Sequence, residues 1–102
     1  MLEGDEKEIR VMVEMFVNIT PQVAEELKDA ADRKEWVKAG DIAHKIKSSL
    51  KMMGIFDIAE EALFIEKSGR TGENIDVLAG KINELVRKLN VVVEQMKTDF
   101  AF

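Results

Sequence analysis

In the stretch Trp36-Val37-Lys38-Ala39-Gly40-Asp41-Ile42-Ala43-His44-Lys45-Ile46-Lys47-Ser48-Ser49-Leu50-Lys51-Met52-Met53-Gly54, apolar residues recur every three or four positions. That is the period of an α-helix with one buried face, and no strand-like alternation competes with it. A helix turns about 100° per residue, so Trp36, Ala39, Ile42, Ala43, Ile46, Leu50 and Met53 share roughly a 120° arc and face a core. His44, the only histidine of the chain, points roughly 140° away from the centre of that arc, towards water. Residues three, four and seven apart share a helix face, which places Gly40, Lys47, Ser48 and Lys51 around His44. Val37 lies further along the same face, apolar and without a core to pack into. An exposed apolar side chain beside a reactive group suits transient docking. Gly40 inside a helix costs close to 1 kcal/mol relative to Ala, and such a position often marks the close approach of something else.

Outward from this helix, which the spacing places over about 33–53, the same period continues. A first helix is expected from about Asp5 to Val17, with Ile9, Met12, Val13 and Phe16 inward. Asn18-Ile19-Thr20-Pro21 reads as a break, with Thr20 capping a second helix and Pro21 at its first position. That helix carries Val23, Ala24, Leu27, Ala30 and Ala31 and ends near Asp32. Asp32–Glu35 and Asp57–Glu60 have capping-box spacing, and Gly54 is a helix stop. A fourth helix runs from Asp57 through about Lys67. Ser68-Gly69-Arg70-Thr71-Gly72 reads as a loop. The last helix spans about Asn74 to Lys97, with Ile75, Leu78, Ile82, Leu85, Leu89, Val92 and Met96 as its buried stripe. Five helices with short connections give an all-α fold, an antiparallel four-helix bundle with an additional N-terminal helix. The 102 residues form one domain, 1–102.

Composition limits the chemistry. There is no cysteine, which removes disulfides, thiolate nucleophiles and thiolate-bound metals. The net charge of −5 lacks the basic footprint that nucleic acid or an anionic membrane requires. No apolar run reaches the roughly 18–20 residues of a membrane span, and the charged start Met1–Glu6 is not patterned as a signal peptide, so a cytoplasmic location is expected. A surface histidine among lysines is most often a solvated side chain, and the spacing alone leaves that reading open. A di-metal bundle would need Glu-x-x-His pairs, but Asp41 stands three before His44 and there is no second copy. Ser48 and His44, at i,i+4, lack an orienting acid and an oxyanion hole in the sequence.

Ala43-His44-Lys45-Ile46-Lys47-Ser48-Ser49-Leu50-Lys51-Met52-Met53-Gly54 resembles the signature of histidine-containing phosphotransfer (HPt) domains, roughly A-H-x-[LI]-K-[GS]-S-x-x-x-x-G. The resemblance covers nearly the whole chain, from Phe16 and Pro21 before the motif to Leu63 and Glu66 after it. It implies that His44 accepts a phosphoryl group, that Lys47 steadies it and that Gly54 ends the active helix. The position after Lys47, commonly Gly in the family, is Ser48 here. Ser48 and Lys51 are auxiliary candidates, and Val37, Gly40 and Ser48 are candidates for contact with a partner. The implied partners are a receiver domain of a response regulator, a histidine kinase, or both. A monomer is expected, without metal or cofactor of its own, because the receiver brings the Mg²⁺ and the acidic pocket. The chain is then a phosphocarrier and not an enzyme by itself. An HPt-like adaptor that binds a receiver or kinase without taking phosphate is the alternative.

Overall fold

The computed structural model describes residues 3–101, with side chains described from residue 6 onward; Met1, Leu2 and Phe102, the ends of the expected 1–102 span, lie outside it. Its elements are four helices, α1 (Glu3–Asp32), α2 (Trp36–Met52), α3 (Phe56–Thr71) and α4 (Ile75–Phe100). Each connection is three residues long, so consecutive helices fold back on one another. α2 packs on α3, α3 on α4, α4 on α1 and α1 on α2, which closes a four-helix bundle. Its core is aliphatic, with Leu27, Leu50, Ile65, Leu78, Ile82, Leu85 and Leu89 wholly buried.

The additional N-terminal helix does not form as a separate element among the described residues. The expected break at Asn18–Pro21 is absent, and α1 runs as one 30-residue helix with Pro21 inside it. The apolar face explains why. Val13, Phe16 and Val17 before the proline, and Ala24, Leu27, Ala30 and Ala31 after it, are all buried. An internal proline costs about 3 kcal/mol, whereas fully burying one large aliphatic or aromatic side chain contributes about 1.5–3 kcal/mol. Packing on both sides of Pro21 therefore outweighs the lost hydrogen bond. Thr20 is buried within the helix instead of capping one, and Ile9, expected inward, is half exposed.

Neither expected capping box closes. α2 begins at Trp36 and α3 at Phe56, after Glu35 and Ile55, and neither start has a side-chain cap. The chain is stopped from the preceding side instead. Lys34 and Gly54 adopt left-handed φ angles of 58° and 76°. Around them the Glu35 N–H donates to Ala30 O and the Ile55 N–H to Leu50 O, both at 2.8 Å. These are paired Schellman-type closures, and Gly54 is the stop its position suggested.

Residues 68–71, expected as part of a loop, are the last turn of α3, which ends at Gly72, φ 79°. Ser68 and Gly69 are buried there. A Cβ on Gly69 would run into the Trp36 carbonyl oxygen and lie 3.1 Å from Gly40 Cα. The two glycines let the backbones of α2 and α3 touch, and that contact continues α3 one turn further, carrying Arg70 to the face of α2.

Candidate functional site

His44 stands on the exposed face of α2, as the helical spacing required, with 49% of its side chain in solvent. It is not isolated. Its Nδ1 lies 3.0 Å from Oε2 of Glu66 on α3. The other carboxylate oxygen, Oε1, accepts from Lys47 Nζ at 2.7 Å. Oε2 also accepts from Arg70 Nη1 at 2.9 Å, and Arg70 reaches on to Asp41 Oδ1 through Nε at 3.2 Å and Nη2 at 3.0 Å. One carboxylate thus organises three groups, the His44 ring, the Lys47 ammonium and the Arg70 guanidinium.

Glu66 is buried, a position an acid holds only when paired. The Lys47 ammonium bonded to it holds its carboxyl below the usual glutamate range, against the upward push of burial, and His44 adds to the lowering. An ionised carboxylate only accepts hydrogen bonds. The proton between His44 and Glu66 therefore sits on Nδ1, and in the neutral ring Nε2 keeps its lone pair. Half of this ring is in solvent, so the lone pair belongs to a nucleophile that a docked molecule can reach.

Glu66 was the residue that sequence reasoning passed over as a functional group, taking it only as part of the helix following the motif. A signal was present. Ala59, Ala62, Ile65 and Gly69 share the inward face of α3, and Glu66 falls among them at helical spacing, an acid where a core residue belongs. The orienting acid that the sequence did not disclose for His44 is this one.

Of the remaining candidates, Lys47 is nearly covered, with 14% of its side chain exposed, because Glu66 draws it inward. Ser48 is exposed, and its hydroxyl donates to the His44 carbonyl oxygen at 3.3 Å; it is bonded within its own helix, not to the imidazole, so no Ser–His pair forms. Lys51 is exposed and takes part in no ion pair among the described residues. Val37 is exposed as expected. Gly40 is not a surface position. It is buried, and a Cβ there would lie 3.0 Å from the Glu66 carbonyl oxygen and 3.4 Å from Arg70 Cγ. The close approach its glycine signals is that of α3, not of a partner. On the opposite flank of α2 an apolar groove of about 330 Å³ runs against α1, lined by Met12, Met15, Phe16, Ile19, Met52 and Met53, with Lys45 and Ser49 at its edge.

A family model described as Hpt domain matches residues 11–96. The chain belongs to the Hpt domain family. No curated protein and no solved structure matches it. The Hpt match spans all four helices and centres on the bundle that holds His44, and membership ties the chain to phosphotransfer in two-component signalling, where Hpt domains act as phosphocarriers that meet receiver domains or kinases. Among the described residues of this Hpt domain, no helix is long and apolar enough to cross a membrane.

Proposed function

We propose that this Hpt domain is a phosphorelay carrier that takes a phosphoryl group on Nε2 of His44 from the aspartyl phosphate of a receiver domain, or from a histidine kinase, and passes it to another receiver. The observation that carries this reading is the His44–Glu66 contact, which leaves Nε2 as the nucleophilic nitrogen of a ring half in solvent. The Nε2 lone pair attacks phosphorus in line, the N–P bond forms, and the P–O bond breaks as the receiver's aspartate leaves as a carboxylate. Nδ1 keeps its proton, shared with Glu66, so the positive charge that develops on the ring meets a carboxylate already in place. Transfer onward is the same step reversed against another aspartate. The receiver supplies the Mg²⁺ and the acidic pocket, and the chain contributes position, the oriented ring and the nearby charge of Lys47. Val37, Ser48 and Lys51 share the exposed face of α2 with the ring, where a receiver would close over it. Such a carrier acts in the cytoplasm and as a monomer.

Incubation with a receiver carrying labelled phosphate tests this. The expected result is label on the chain that survives alkali and is lost in acid, the stability pattern of a phosphoramidate. Binding of the receiver without any such label would sink the carrier reading and leave an adaptor.

A further inference from the structure

Arg70 lies across the gap left by Gly40. Its guanidinium bonds Asp41, three residues before His44, with Nε and Nη2, and bonds Glu66 with Nη1. The Nη1 contact falls on Oε2, the oxygen that accepts from His44. Lys47 holds Oε1, so the carboxylate is fixed at both oxygens, and the direction in which Oε2 presents its remaining lone pair to Nδ1 is set by Arg70. A Cβ at position 40 would meet the Glu66 carbonyl oxygen at 3.0 Å and touch Arg70 Cγ at 3.4 Å, so the buried glycine lets α3 lie close against α2 with Arg70 passing over it. Asp41 and Arg70 are both about half exposed, and an exposed ion pair contributes only about 0–1 kcal/mol to stability. The Asp41 end of the strap therefore does little for the fold. Its consequence is orientation.

We infer that Arg70 is a positioning residue for phosphotransfer, strapping Asp41 to Glu66 over Gly40 so that Glu66 holds the His44 ring with Nε2 unprotonated and aimed outward. The inference rests on the carrier reading for its kinetic consequence, though the ring geometry it describes exists in the free protein. Without the strap, Glu66 pivots about its Lys47 contact, and the ring samples the tautomer that carries the proton on Nε2 and has no lone pair there.

Two measurements on Arg70→Gln, Arg70→Lys and Asp41→Asn test it. In single-turnover transfer from a phosphorylated receiver, Arg70→Gln should lower the saturating rate about tenfold, the usual scale for losing a group that orients a reactive side chain. The receiver concentration at half-saturation should not move. Arg70→Lys should recover part of the loss, since an ammonium can bond one of the two carboxylates, and Asp41→Asn should fall between Arg70→Gln and the unaltered chain. A loss confined to half-saturation would make Arg70 a docking residue and overturn the inference, as would an unchanged saturating rate. Independently of any transfer, ¹⁵N shifts of the single imidazole in the free protein should show the Nδ1–H tautomer dominant and Arg70→Gln shifting it towards Nε2–H. Identical tautomer populations would also overturn it, even if no receiver ever phosphorylates the chain, in which case the carrier reading falls separately.

Discussion

A His44→Gln chain should take up no phosphate from any phosphorylated receiver, while remaining folded and still binding that receiver. The chain has no other histidine, so no second imidazole can substitute. A glutamine amide nitrogen has no available lone pair with which to attack phosphorus. The fold should barely notice, because His44 is exposed and Glu66 keeps its bonds to Lys47 and Arg70; exposed substitutions usually change stability by within about 0.5 kcal/mol. Transfer assays paired with a melting curve on the same preparation separate the two effects. Acid-labile label on the variant would remove His44 from the mechanism.

Glu66→Gln is expected to damage both function and fold. An amide offers one acceptor oxygen where the carboxylate offered two to three donors, so at least one of Lys47, Arg70 and His44 loses its partner. Transfer should slow by about 10–100-fold, because the ring is no longer held by an anion in the Nδ1–H form. Stability at neutral pH should fall by about 1–3 kcal/mol, the scale for leaving partly buried polar groups unsatisfied. The pH dependence follows from the lowered carboxyl titration of Glu66, caused first by the Lys47 bond and opposed by burial. A group depressed in the folded chain contributes fully above its unfolded value, about 4.3 for glutamate, and loses that contribution as pH falls through the folded value. The stability gap between the unaltered chain and Glu66→Gln should therefore be constant near neutrality and narrow in acid below about pH 4. Denaturant titrations across pH measure it, and a gap that persists at pH 2 to 3 would show that Glu66 acts by packing and not by charge.

The helical period carried much of this structure in plain view. It gave the all-α class, the inward face of α2, most of that of α4 and the outward direction of His44, since each follows from residues a few positions apart, whereas Ile75, expected in the buried stripe of α4, is exposed. What it missed depended on contacts between distant segments. Pro21 looks like a break locally, yet the buried residues on either side of it belong to one face of one helix. Residues 68–71 have loop composition, yet Gly69 packs against Gly40 across the bundle and keeps α3 helical.

The same distinction separates the legible from the hidden parts of the site. His44, Lys47 and Ser48 lie within one turn and a quarter of helix and were found together. Glu66 and Arg70 reach them from α3, some twenty residues on, and nothing in the spacing of α2 points there. Gly40 shows both sides: its cost inside a helix announced a close approach, and only the fold reveals that the approaching element is α3. Helical spacing puts Lys47 on the solvent face beside His44, but Glu66 draws it down to 14% exposure.

The central claim is that Nε2 of His44 carries the phosphoryl group because Glu66 occupies Nδ1. Phosphorylation of ¹⁵N-histidine-labelled protein by a charged receiver, followed by NMR detection of phosphorus–nitrogen coupling, places the phosphorus on one ring nitrogen. Coupling to Nε2, with Nδ1 still protonated, is the expected result. Phosphorus on Nδ1, or on any other residue while both ring nitrogens stay uncoupled, would contradict it.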